Sequence, residues 1–399
     1  MEKAFLYLDH SATTAVDPRV IEAMLPYFSE YYGNPSSLYS VGAAARRALE
    51  SARAGVSNIL GAKPTEVYFT SGGTESDNLA LRGAAWALRS RGNHIITSSF
   101  EHHAVGNTCA QLECEMGFNI TYLPVDHQGC VNPDDVARAI TDRTILISVM
   151  YANNEVGTIE PIGEIGKIAR SHSIPFHTDA VQAPGLMSLN VDDLNVDLLA
   201  ISGHKFYAPK GVGVLYIRQG TRILPIQTGG GQERNLRAGT ENTPYIVGLA
   251  KALTLAEEAR QHEVPRLQTL RDKLIKGVLE RIPDAVLTGH AEKRLASHAS
   301  FIFPGVEGEA VVLKLSMLGI GVSSGSACSS GEDGPSHVLS ALNYEHTIAR
   351  GSLRLTLGRE NVSEDVDRVL GVLPDVVASL RAMSPFYNSE GTVALQPVR

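Results

Sequence analysis

No run in this sequence stays apolar over the roughly 20 residues that a membrane-spanning helix needs, because glycine, serine or charge interrupts every longer apolar stretch. A membrane partner is therefore not expected. The opening Met1-Glu2-Lys3-Ala4-Phe5-Leu6-Tyr7-Leu8-Asp9-His10 meets a carboxylate before an export-type apolar core can build up, so the chain is expected to be soluble and cytoplasmic. Cysteine is scarce. Cys109, Cys114, Cys130 and Cys328 are too few and too irregular for a disulfide framework in 399 residues, and they read as reduced thiols. Their spacing offers no convincing metal pair, and no metal site is expected. A basic excess is also missing: 35 Lys and Arg face 43 Asp and Glu, a net charge of −8 that disfavours direct nucleic-acid binding while leaving a basic protein free to dock. Internal repeats and low-complexity segments are absent. What remains is ordinary globular composition, 43% hydrophobic and 20% charged, in a chain long enough for two or three domains of roughly 150 residues.

From about 66 to 218, short β-rich runs alternate with helical stretches, the pattern of a mostly parallel sheet covered by helices. The runs are 67–70, 94–97, 120–123, 144–150, 175–177, 198–202 and 212–217. Between them, 76–91 and 104–116 are long enough for right-handed crossovers between parallel strands. A charged helical stretch follows at 246–282, which Pro265 is expected to kink or break. Strands at 299–303 and 352–357, and a last helix at 363–383 opened by Ser363-Glu364-Asp365, belong to a second unit. The fold class is α/β. A large domain at 16–262 carries a mostly parallel seven-stranded sheet, and 1–15 with 263–399 form a smaller α+β domain.

Three segments carry chemistry. Thr70-Ser71-Gly72-Gly73-Thr74-Glu75-Ser76-Asp77-Asn78 is a glycine turn between strand and helix, where backbone N–H groups at the helix start suit a phosphate, although such a turn can also merely redirect the chain. Phe176-His177-Thr178-Asp179-Ala180-Val181-Gln182 and Ser202-Gly203-His204-Lys205-Phe206 each end a strand, on the edge where open α/β folds collect ligands. An acid, a lysine and a phosphate cradle then converge, which is what pyridoxal phosphate requires.

With these and further motifs the chain resembles the NifS/IscS-type cysteine desulfurases, class V enzymes of the fold-type I pyridoxal-phosphate group. The further motifs are Leu8-Asp9-His10-Ser11-Ala12-Thr13-Thr14, Gly33-Asn34-Pro35-Ser36-Ser37, Glu101-His102, Asn153-Asn154-Glu155, Arg237-Ala238-Gly239-Thr240-Glu241-Asn242 and Ser324-Gly325-Ser326-Ala327-Cys328. The resemblance implies pyridoxal 5'-phosphate as cofactor, Lys205 as its Schiff-base lysine and Asp179 as the partner of its pyridine nitrogen. It implies that His102 stacks on the ring and handles protons. His103 beside it reads as structural. Asn154 and Gln182 would bond the ring oxygen, with Asn154 also near the substrate carboxylate; Gly73, Thr74, Ser202 and His204 would hold the phosphate. Thr240 would serve a neighbouring subunit's phosphate, which makes the protein a two-fold homodimer. Arg354 would grip the substrate carboxylate with a planar guanidinium. Arg359 reads as structural and Lys210, between Pro209 and Gly211, as a turn residue.

Cys328 separates a desulfurase from an aminotransferase. It lies in Ser323-Ser324-Gly325-Ser326-Ala327-Cys328-Ser329-Ser330-Gly331, a small-residue stretch without core-forming side chains, where an exposed thiolate is expected. The implied activity converts L-cysteine to L-alanine, leaves a persulfide on Cys328 and passes the sulfur to an acceptor, such as an iron–sulfur scaffold protein. The alternatives are a selenocysteine lyase, a class V aminotransferase, or a non-enzymatic scaffold, the last disfavoured by the joint presence of Lys205, Asp179, His102 and Arg354.

Overall fold

The computed structural model describes residues 5–325, 336–385 and 387. Strands are β1 (Leu6–Tyr7), β2 (Val67–Thr70), β3 (His94–Ser98), β4 (Asn119–Leu123), β5 (Thr144–Ser148), β6 (Phe176–Asp179), β7 (Leu198–Ser202), β8 (Gly213–Ile217), β9 (Val286–Leu287), β10 (His298–Ile302), β11 (Ile320–Gly321) and β12 (Ser352–Thr356). The central sheet has the order β2-β8-β7-β6-β5-β3-β4, and only the two pairings of β8 are antiparallel. Side chains alternate across it. Ile96, Ile147, Leu199 and Val214 enter one hydrophobic core, while their neighbours Ile95, Leu146, Leu198 and Leu215 enter another with Leu79, Leu81 and Ala84 of the helix Gly73–Leu88. A strand buried on both faces must be apolar at successive positions, and that is why these runs read as continuous Val, Ile and Leu.

A second body of core surrounds the three-stranded antiparallel sheet β12-β10-β9. Ala299, Phe301, Leu353 and Leu355 pack there against Val366, Val369 and Leu373 of the last helix, Ser363–Arg381. Each fully buried Leu or Val adds roughly 1.5–3 kcal/mol. The helix starts where the carboxylate of Asp365 accepts the Val362 N–H at 3.1 Å, a capping use of the Ser-Glu-Asp signal.

The charged helical stretch is not broken at Pro265. The stretch after Asn242 is a single helix, Thr243–Arg281, uninterrupted at Pro265. Before the proline it buries Ile246, Leu249 and Leu253 in the first core, and beyond it Leu267, Leu270 and Leu274 in the second, so packing on both sides outweighs the local penalty. The carbonyl that Pro265 deprives of a partner belongs to Gln261, and both residues are exposed, so water can serve it. Pro374 in the last helix is accommodated differently: the orphaned Leu370 carbonyl accepts from Arg281 Nη1 at 3.1 Å. No described helix is long and apolar enough to cross a membrane.

Candidate active site

The carboxyl ends of β2, β3, β5, β6 and β7 open onto one edge of the sheet, and the glycine turn lies among them. The helix after β2 begins at Gly73, earlier than the 76 expected from the pattern, because Ser76 N–H already bonds the Gly72 carbonyl at 3.1 Å. The N–H groups of Gly73, Thr74 and Glu75 therefore head the helix without intrahelical acceptors. A Cβ on Gly73 would stand 2.7 Å from Val181 Cγ2 and 3.4 Å from Ser202 Cβ. The turn is thus pressed against the segments that carry Asp179 and Lys205, and only glycine permits the approach. Thr74 is exposed beside it and Ser202 is buried.

Asp179 closes β6 with its Oδ1 accepting the Val181 N–H at 2.9 Å. Burial pushes its carboxyl above the usual range, while nearby His102 and Lys205 pull it back. His102 caps the helix His103–Met116: its Nδ1 accepts from Ala104 N–H at 3.1 Å, which leaves the proton of the neutral ring on Nε2. Burial holds that ring below the usual imidazole range, and Asp179 opposes the effect. Lys205 Nζ donates to the carbonyls of Ser11 and Ala12 at 2.6 and 2.8 Å. Gln182 Nε2 reaches the same Ser11 carbonyl at 3.1 Å, and His204 Nδ1 stands 3.1 Å from Thr13 Oγ1. Burial, with Lys205 and Lys210, brings His204 down to about 4.

Arg354, buried in the middle of β12, comes from the other sheet. Its Nη2 donates to Asp9 Oδ1 at 2.7 Å and its Nη1 to the Asn154 carbonyl at 3.0 Å, while Nε has no partner among the described residues. The Asn154 carbonyl also accepts Ser11 Oγ at 2.7 Å. The chain thus brings Gly73, Asp179, Gln182, Ser202, Lys205 and His102 together at one sheet edge, with Asn154 and Arg354 joined to it through Ser11. Thr240 is exposed, three residues past Arg237, which pairs with Glu75 of the glycine turn at 2.7 Å. Cys328 lies outside the described residues.

The remaining candidates are otherwise engaged. Arg359 pairs with Asp17 and stacks 3.4 Å from the Tyr207 ring centroid, a structural use. Lys210 is exposed in a turn, and His103 packs on His337 with ring centroids 4.6 Å apart. Burial pushes Cys109 and Cys130 up to about 12, so they are poor thiolates.

Sequence reasoning missed several groups. Asp9 stood in a quoted motif without a role, since its partner Arg354 lies 345 positions away. Asp77 and His177 form a buried pair at 3.4 Å behind Asp179, with His177 Nδ1 2.8 Å from Ser148 Oγ. Glu101, bonded by Ser98 Oγ at 2.6 Å and Met150 N–H at 2.9 Å, is pushed up to about 8 by burial.

Residues 6–369 match the family described as aminotransferase class-V. A cysteine desulfurase IscS from Methanosarcina thermophila is 55% identical over 389 residues, covering 98% of this chain and 96% of that protein. The chain belongs to the cysteine desulfurases of the class-V aminotransferase family. Solved structures share the fold: a NifS-like protein superposes with a TM-score of 0.88 at 38% identity, covering 94% of this chain and all of that one. A structure described as SspA in complex with cysteine gives 0.79 at 37% identity, over 90% of this chain and 100% of that one.

Proposed function

We propose that this chain is a pyridoxal-phosphate-dependent cysteine desulfurase that converts L-cysteine to L-alanine and passes the sulfur through Cys328 to an acceptor protein. The observation that carries the reading is the convergence of Gly73, Asp179 and Lys205, from three separate strand ends, at one sheet edge. The groups fit the cofactor: the free N–H groups at Gly73, Thr74 and Glu75, with Ser202 and His204 alongside, suit a phosphate, and a buried carboxyl suits a ring nitrogen. When bound, pyridoxal phosphate supplies an aldehyde for Lys205 and an electron-accepting ring.

The chain's own residues do the rest. Lys205 Nζ is the base for the substrate Cα proton, and neutral His102, with Nε2–H as donor, moves protons at the other side of the site. Asn154 and Arg354 orient the substrate carboxylate. Cys328 thiolate attacks the substrate Sγ; the new S–S bond forms as the C–S bond breaks, so cysteine and one thiol become alanine and a persulfide with no outside oxidant. A thiolate of an acceptor, such as an iron–sulfur scaffold, then takes the outer sulfur. Thr240 serves the partner's phosphate in a homodimer, and 16–262 forms the cofactor domain.

Mass spectrometry after one turnover with cysteine tests the reading. We expect one added sulfur on Cys328 together with stoichiometric alanine, and none on Cys328→Ser. Sulfane sulfur on Cys109, Cys114 or Cys130 with Cys328 unmodified overturns it.

A further inference from the structure

Glu155 stands one residue beyond Asn154, in the turn that follows β5. Its N–H donates to Asn153 Oδ1 at 2.8 Å, and Asn153 is held by its own Nδ2 bond to the Phe100 carbonyl at 3.1 Å. The side chain of Glu155 is buried and meets both ends of the segment 326–335, which contains Cys328. At one end Ser336 Oγ donates to Glu155 Oε2 at 2.7 Å. The same hydroxyl accepts the N–H groups of Val338 and Leu339, capping the helix His337–Ala341. At the other end Gly325, with φ +78°, lies so close that a Cβ there would stand 2.7 Å from Glu155 Oε1 and 3.0 Å from Cδ. Gly325 N–H is held by Ser323 Oγ at 3.3 Å, and Ser323 pairs through its backbone with Arg354 in both directions.

A buried carboxyl whose Oε1 has no hydrogen-bond partner among the described residues is costly and calls for a reason. Chain connectivity supplies one. Cys328 is three positions from Gly325 and eight from Ser336 in sequence, so the Gly325 end, next to Arg354, is its shorter tether.

We infer that Glu155 is a positioning residue for sulfur transfer: it holds both ends of the Cys328 segment beside the substrate clamp without itself touching substrate. The inference rests on the desulfurase reading. It calls for a split between rate and affinity, because the residue acts on the step after cysteine is bound.

Steady-state alanine formation by the holoenzyme and its Glu155→Ala, Glu155→Gln and Ser336→Ala variants tests it. Glu155→Ala should lower kcat about tenfold, the loss of one hydrogen bond to a buried carboxyl, with the KM for cysteine unchanged. Glu155→Gln, which keeps an acceptor for Ser336 and the same shape against Gly325, should restore most of kcat. Ser336→Ala removes the same bond from the other side and should lower kcat at constant KM even where Glu155→Ala does not fold. An unchanged kcat in Glu155→Ala or, where that variant does not fold, in Ser336→Ala overturns the inference, as does a rise in KM at constant kcat or failure of glutamine to rescue. Wild-type protein that releases no alanine from cysteine would instead sink the desulfurase reading itself.

Discussion

The seven-stranded sheet contributes its site residues from strand ends, whereas the three-stranded sheet contributes Arg354 from mid-strand. At the strand ends the backbone is set by local turns: Asp179 accepts the N–H of Val181 two residues on, and the Gly73 turn packs against Val181 and Ser202, while the Lys205 side chain reaches across to the Ser11 and Ala12 carbonyls. Arg354 is fixed by Asp9 and by the Asn154 carbonyl, from segments that are remote in sequence. On the proposed reading, cofactor chemistry is built on strand ends whose backbone is set locally, and substrate recognition on a tertiary junction. Damage to the first should abolish chemistry outright, while damage to the second should be graded.

The largest effect expected is that of Lys205→Ala. No other lysine in the described residues stands at that edge in its place, so turnover should be lost completely. Borohydride reduction of the wild-type holoenzyme followed by peptide mapping should label Lys205, and label on Lys210 would refute the assignment. Next comes Glu233→Ala, aimed at the scaffold of the same edge. Glu233 bonds Arg53 twice at 2.8 Å and accepts the Phe69 N–H of edge strand β2 at 2.9 Å, with both charged side chains buried. Removing the carboxylate strands a buried guanidinium, a loss of about 3–5 kcal/mol. Urea unfolding should show that loss while borohydride still labels Lys205 in the folded holoenzyme.

At the tertiary junction, Arg354→Ala should weaken cysteine binding by about 1.5–3 kcal/mol, the range for a charge-assisted hydrogen bond, and leave the cofactor spectrum unchanged. Asp9→Asn should weaken it less. A double-mutant cycle between them should return a coupling of about 0.5–3 kcal/mol, as for residues in one network, and independent effects would mean that Asp9 does not orient Arg354.

The same contrast explains what could be read from the sequence. Sheet strands were legible to within a few residues because burial on both faces writes a run of successive apolar residues, as in Ile145-Leu146-Ile147 of β5. The start of the helix at Gly73 was misjudged because a glycine at a helix start looks the same as a glycine in a loop; what distinguishes it is the close approach of Val181. Pro265 misled for the opposite reason: a local penalty was visible, whereas the two cores that outweigh it were not. Asp9, Glu155 and the Asp77–His177 pair have roles only once distant segments meet.

His177 gives the smallest effect at neutral pH and the sharpest test of what lies behind the strand-end site. Burial lowers its ring from the ordinary value to about 3, so the folded protein keeps it neutral. The unfolded chain takes up that proton near pH 6.5, and between there and about 3 the unfolded state holds more protons; acid therefore costs stability in this window. His177→Gln keeps a polar partner for Ser148 but has nothing to titrate. At pH 7.5 it should cost about 1 kcal/mol, one neutral hydrogen bond. As pH falls below 6.5 the wild type loses the His177 contribution and the variant does not, so the stability gap should close and then reverse. Glu101, raised to about 8, acts with the opposite sign between about pH 4.5 and 8, but it is present in both proteins and drops out of the difference. Parallel urea titrations across pH 7.5 to 4.5 read the gap directly. A gap that stays constant over that range would mean that the ring titrates alike in the folded and unfolded chain, whereas a gap that widens as pH falls from 7.5 to about 6.5 and then levels would mean that His177 is protonated in the folded protein, paired with an ionised Asp77.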